Sequence, residues 1–176
     1  MNLIKYIFLL NLIFLSVECR LKLHSVLITG ANRNLGLQFV IELIKSNPKH
    51  IIATCRDPEN ANELNELANN HLNIHILQLE LTNYSSYDSF VNKVDTIVGK
   101  EGLTLFIQNA GLKANSNENQ LNPDQLMKMY NINAVAPVLL ARKLLPILRK
   151  STNLGRRTIS IFKLNLNFIS INNFLI

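Results

Sequence analysis

The residues best placed to do chemistry lie where an apolar run ends in a glycine. Thr29-Gly30-Ala31-Asn32-Arg33-Asn34-Leu35-Gly36 follows directly on the β-rich stretch Ser25 to Thr29 (SVLIT). A glycine turn between a strand and a helix lets backbone amides approach a pyrophosphate, which then rests at the helix N-terminus. Spacing alone would be weak evidence, because such turns are common in α/β proteins. A second position sharpens it. Selection of NAD requires an acidic residue at the end of the second strand, on the ribose 2′-hydroxyl. This chain has Thr54-Cys55-Arg56 there, and Arg33 inside the turn. Guanidiniums near the ribose would instead hold a 2′-phosphate by charge-assisted hydrogen bonds. Arg56 on its own could equally be a surface arginine paired with Asp57 or Glu59.

Other reactive side chains form no comparable pattern. Cys19 and Cys55 are the two cysteines, and no Cys/His cluster has metal-ligand spacing, so no metal site is expected. Cys55 reads as a small buried strand residue and not as a reactive thiol. His24, His50, His71 and His75 have no carboxylate or nucleophile arranged around them in the sequence, and a structural role is expected for each.

These residues need a scaffold, and the chain supplies one between about Lys22 and Lys150. Ser25 to Thr29 is a first strand, followed by a helix from Leu35 to Ser46 with Phe39, Val40, Leu43 and Ile44 on one face, stopped by Asn47-Pro48. Ile51 to Cys55 is a second strand. Pro58 then opens a helix with Ala61, Leu64, Leu67 and Ala68 inward. Asn73 to Leu79 is a third strand, and Thr82 can cap a helix whose inner face is Tyr87, Phe90, Val91, Val94 and Ile97. Leu103 to Ile107 is a fourth. Asn122-Pro123 is a cap and first turn for a long helical stretch to Lys150, which Pro137 and Pro146 would kink or interrupt.

Strands written as continuous apolar runs and alternating with helices imply parallel pairing with helices on both faces. With right-handed crossovers the result is a doubly wound parallel sheet of Rossmann type, here its first four to five strands. The size fits: 176 residues allow one domain, and 48% hydrophobic against 17% charged residues exclude a disordered chain. The formal charge of +6 comes mostly from scattered residues. The basic cluster Arg142, Lys143, Arg149, Lys150, Arg156 and Arg157 lacks the aromatic interleaving of a nucleic-acid surface, so no nucleic-acid partner is expected.

Within this frame TGANRNLG resembles the TGxxxGxG turn of the short-chain dehydrogenase/reductase family. Gln108-Asn109-Ala110-Gly111 after the fourth strand resembles its NNAG motif, and Asn131-Ile132-Asn133-Ala134 its active-site Asn segment. Over about Leu23 to Lys150, including IIATCRDPENANELNEL and HILQLELTN, the chain looks most similar to sniffer-like and C-factor-like carbonyl reductases. The resemblance implies an NADP(H)-dependent carbonyl reductase. Its cofactor would be held by Thr29, Gly30, Asn32, Arg33, Asn34, Leu35, Gly36, Arg56, Glu80, Leu81, Asn109, Ala110 and Gly111. Asn133 would hold a water in a proton relay. Three positions depart from the pattern: Asn34 replaces the middle glycine, Gln108 the first Asn of NNAG, and Glu80 the usual Asp beside the adenine. Asn tolerates positive φ better than any residue but Gly, so the turn can survive Asn34 with some loss of close phosphate approach, and Gln108 is the milder change.

The family's proton donor is a Tyr with a Lys four residues on, helped by a Ser on the preceding strand. None of the tyrosines fits: Tyr6, Tyr84, Tyr87 and Tyr130 are followed at that offset by Leu10, Asp88, Val91 and Ala134. Arg157 to Ile161 could begin the fifth strand, but Phe162-Lys163 follows where the family tends to have serines, and Ser160 and Ser170 are poor candidates. The expected reading is a reductase lineage in truncated form, or an incomplete gene reconstruction. A non-catalytic NADP(H)-binding pseudoenzyme or non-functional fragment is the alternative. A small carbonyl substrate and a homodimer would then belong to the complete protein. The fourth strand would lie near an exposed edge, with marginal stability and a tendency to aggregate.

Both ends differ from the middle. Residues 1–19 form a signal-like apolar segment, with Lys5 before the run and Ser16 to Cys19 behind it, or else translated non-coding sequence. Residues 22–158 form the expected nucleotide-binding domain and 159–176 an atypical tail. A cytoplasmic location follows from the resemblance. The alternatives are the secretory pathway, or a membrane if residues 1–19 are a true anchor.

Overall fold

The computed structural model describes residues 23–112, 122–153 and 159–162. The signal-like segment and the tail beyond Phe162 lie outside them. Five strands, β1 (Ser25–Ile28), β2 (His50–Cys55), β3 (Ile74–Gln78), β4 (Leu105–Gln108) and β5 (Ile159–Phe162), form one sheet in the order β3-β2-β1-β4-β5. Every pairing is parallel. The order reverses between β1 and β4, where the chain crosses from one side of β1 to the other, and a crevice opens there beyond the strands' C-terminal ends.

The helices are α1 (Asn34–Ser46), α2 (Asn62–Asn70), α3 (Tyr87–Val98), α4 (Pro123–Tyr130) and α5 (Ala136–Asn153). They cover the sheet on two faces because its strands alternate. Val26 and Ile28 of β1 and Leu105 and Ile107 of β4 pack with Leu37, Val40 and Leu43 of α1 and Leu64 of α2. Leu27 and Phe106 face the other way, onto Phe90 and Val94 of α3 and Leu140, Leu144 and Ile147 of α5. The continuous apolar runs of the central strands thus have a physical cause: both faces are buried.

Several elements differ in detail from the sequence expectation. Pro58 does not open α2. Its carbonyl instead accepts from Ala61 N–H at 3.2 Å, and the helix starts at Asn62. Thr82 is not the cap of α3: its N–H and hydroxyl donate to Glu80 Oε1, and a short 3₁₀ turn at Tyr84–Ser86 precedes the helix. Asn122 does cap α4, accepting from Gln125 N–H at 2.9 Å with Pro123 in the first turn. Between α4 and α5 the helix widens into a π turn at Asn131–Val135. This widening lets the helical course pass Pro137, whose ring and missing N–H would otherwise disrupt the ladder. Pro146 lies within α5 without ending it. The run 123–152 is long and apolar enough to cross a membrane, but Ala136, Leu140, Leu144, Ile147 and Leu148 of its second part are laid on the sheet.

The fourth strand is not an edge. β5 pairs with β4 in register Leu105↔Ile159 to Gln108↔Phe162, on the side of β4 away from β1.

Candidate cofactor site

A cleft of about 380 Å³ lies at the crevice, and all thirteen residues expected to hold a cofactor line it. Its floor is the junction of β1 and β4. Thr29 is fully buried, and its hydroxyl accepts from the N–H groups of Asn109 and Ala110, each at 3.1 Å. The Asn109 side-chain amide donates back to the carbonyls of Thr29 and Gly30, at 3.1 and 2.9 Å. The two loops that bound the cleft are therefore tied together from strand to strand.

The turn has the backbone such a site requires. Gly30 sits at φ +64°, against Ala110, and Asn34 at φ +51°. Asn34 thus occupies the left-handed conformation that its side chain tolerates. A side chain at Gly36 would run into the Gly30 carbonyl and the Asn109 amide, so the third glycine permits the close approach of α1 to the turn. No side chain caps α1, and its first turn holds no acidic residue. Its N-terminal amides are thus left without a competing carboxylate in the first turn.

Arg33 and Arg56 are both exposed at the cleft and make no salt bridge among the described residues. The alternative in which Arg56 pairs with Asp57 or Glu59 is therefore not what the fold shows. Asp57 accepts instead from Asn60, backbone N–H to Oδ1 at 3.3 Å and Nδ2 to Oδ2 at 2.7 Å. On the far wall Glu80 is held by Thr82, while the Leu81 carbonyl accepts from the buried Tyr87 hydroxyl at 2.7 Å. Burial raises the Tyr87 phenol well above its ordinary range, so it stays a neutral donor.

Asn133 is buried and does not line the cleft. Its Oδ1 accepts from Leu112 N–H at 2.7 Å and its Nδ2 donates to the Leu112 carbonyl at 2.8 Å. The side chain expected to hold a water thus clamps the loop after β4. Thr54, Cys55, Asp57, Leu79, Leu112 and Ile132 also line the cleft and were not among the residues expected to hold a cofactor. Burial pushes the Cys55 thiol up, as suits a packing residue.

Gln108 is fully buried, and its Nε2 donates to the Pro137 carbonyl at 2.9 Å, locking β4 to the start of α5. At the opposite end of the sheet His24, His50 and His75 lie side by side, remote from the cleft lining. Among the described residues no group of three or more His, Cys, Asp or Glu side chains could hold a metal ion.

The fold has solved counterparts. The carbonyl reductase Sniffer of D. melanogaster superposes with a TM-score of 0.72 at 36% identity, over 77% of this chain and 59% of that one. A carbonyl reductase from chicken fatty liver, with NADPH bound, gives 0.74 and 36%, over 80% of this chain and 54% of that one. An uncharacterised oxidoreductase of Schizosaccharomyces pombe is 30% identical over 124 residues, 70% of this chain and 48% of its own. The chain spans about half the length of the relatives it matches. The family model for short chain dehydrogenases matches residues 24–156, and with the glycine turn and the β1–β4 crevice in place this chain belongs to the short chain dehydrogenase family.

Proposed function

We propose that this chain is the nucleotide-binding part of an NADP(H)-dependent oxidoreductase of the carbonyl reductase kind. The observation that carries the cofactor choice is the pair of guanidiniums, Arg33 and Arg56, on one cleft, without a salt bridge among the described residues, while the Asp57 carboxylate just after β2 is turned into its own loop. NADPH in the chicken reductase supports the same choice. When bound, the dinucleotide supplies hydride. The chain's own residues do the rest. Gly30 to Gly36 and the first amides of α1 would receive the pyrophosphate, Arg33 and Arg56 the 2′-phosphate, and Glu80 with Leu81 the adenine end. Asn109 to Gly111 would bound the opposite end, braced by Asn133 through Leu112.

A small carbonyl compound is the substrate class. The 176 residues hold no Tyr-x-x-x-Lys, so we assign no proton donor among them. That observation favours a second reading, in which these residues bind NADP(H) without turnover.

Fluorescence titration with NADPH and NADH tests the proposal. Saturable binding that favours NADPH is expected, and no saturable signal at millimolar cofactor would sink it. Arg56→Asp should weaken NADPH about tenfold or more while changing NADH little; an unchanged preference would refute the role of Arg56.

A further inference from the structure

Arg56 is followed directly by a carboxylate of the wrong sign. Asp57 lines the same cleft, beside the arginine assigned above to the 2′-phosphate. A free carboxylate there would have two effects, both against a 2′-phosphate. It would compete for Arg56, and it would repel a group carrying nearly two negative charges while offering an acceptor to a 2′-hydroxyl. The fold disposes of it. Both Asp57 oxygens are taken by Asn60, which closes the turn with its backbone N–H and its side-chain amide.

Two further bonds hold that turn in place. Gln78 at the end of β3 donates its side-chain amide to the Arg56 carbonyl at 2.9 Å. Asn65 of α2 donates to the Pro58 carbonyl, also at 2.9 Å. The backbone of the turn and the Asp57 carboxylate are therefore held in one arrangement, while the Arg56 guanidinium makes no salt bridge among the described residues.

We propose that Asn60 is a specificity-determining residue for the cofactor, a positioning residue that acts by keeping the Asp57 carboxylate away from Arg56 and the 2′-phosphate position. The inference rests on the NADP(H) reading of the cleft. It predicts that selectivity depends on Asn60 only while residue 57 is acidic. Replacing Asn60 by Ala removes the 2.7 Å side-chain bond to Oδ2 and leaves only the 3.3 Å backbone bond to Oδ1, so the carboxylate is held less firmly and preference for NADPH over NADH falls. Because Asn60 is exposed and its bonds are local, global stability should change little.

The test measures dissociation constants for NADPH and NADH by fluorescence titration of the full chain and its variants. Asn60→Ala should lower the NADPH:NADH preference about threefold to tenfold, the scale of a lost hydrogen-bonded brace on a charged group. Asn60→Ser, which keeps a short donor at this position, should retain most of the preference. The double variant Asp57→Asn with Asn60→Ala should restore it, since no carboxylate remains to be released. An unchanged ratio in Asn60→Ala, or an equal fall in the Asp57→Asn background, would overturn the role of Asn60 while leaving the cofactor reading intact. A wild-type chain that binds neither nucleotide overturns the cofactor reading, and this inference with it.

Discussion

A methyl group at residue 36 would lie 2.6 Å from the Asn109 amide nitrogen and press on the Gly30 carbonyl. Both neighbours are fixed, one by its bonds to β1 and the other by the turn, so neither can yield without opening the β1–β4 junction. Gly36→Ala should therefore cost about 2–3 kcal/mol in urea unfolding and weaken nucleotide binding with it. Asn34 gives the contrasting case. At φ +51° Gly should be tolerated, whereas Ala should cost about 1 kcal/mol through backbone strain alone. Measuring both variants by chemical unfolding separates strain from contact. The glycine turn and Arg56 were legible because strand-to-helix turns and strand ends are local patterns, whereas Glu80, Leu81 and Asn109 to Gly111 were expected only from the family resemblance. Leu112 and Ile132 were not, since they meet at the cleft only through packing of segments distant in the chain. Nor was the partner of Asn133: its type and position were readable, but Leu112 lies 21 residues away in the chain.

The elements were legible to the extent that their signals are local. Strand positions follow from apolar runs, and Asn122-Pro123 starts α4 as capping chemistry requires. Pro137 shows where that reading fails: a π turn absorbs the proline, and nothing in the local sequence announces it. The row of histidines is likewise a product of parallel pairing. His24 precedes β1, His50 begins β2 and His75 lies in β3, and adjacent strands bring the three to one end of the sheet. His50 Nδ1 and His75 Nε2 stand 3.1 Å apart and share one hydrogen bond, which requires at least one neutral ring. Burial lowers the His50 pKa most, then the charges of His75, Lys49 and His24, with Glu101 opposing. Burial lowers that of His75 as well. The folded state thus favours the neutral rings. Their contribution is present in full above the ordinary value of 6.5 and is lost as pH falls below it, through the lower folded values. The urea midpoint should drop between pH 7.5 and pH 5.5. His75→Gln, which removes one titrating ring and can still hydrogen-bond His50, should make that drop smaller. An identical drop in the variant would show that other groups govern it.

At the scale of the whole molecule, two apolar layers share one sheet, and the cleft stands on the strands that join them. Phe106 is the largest side chain that β4 contributes to the α3–α5 layer, and it is fully buried. Its strand is held on one side by β1 and on the other by β5, so the expected exposed edge at β4 does not arise. Apolar exposure lies elsewhere, on the long helix, where Leu126, Met127, Tyr130 and Val138 are all more than half or about half exposed. Removing the ring in Phe106→Ala should cost about 3–5 kcal/mol, because close neighbours on both sides leave little room for collapse. That is a large part of a typical domain's 5–15 kcal/mol. The loss should also reach the cleft, since Gln108 to Gly111 continue from the same strand and Asn109 ties the turn to it. Unfolding followed by circular dichroism and by release of bound NADPH should therefore give one midpoint in the wild type, and one lower midpoint in Phe106→Ala. Two separate midpoints would mean that the α3–α5 layer melts on its own. The cleft would then be an assembly of two independently stable halves, and not the property of a single cooperative sheet.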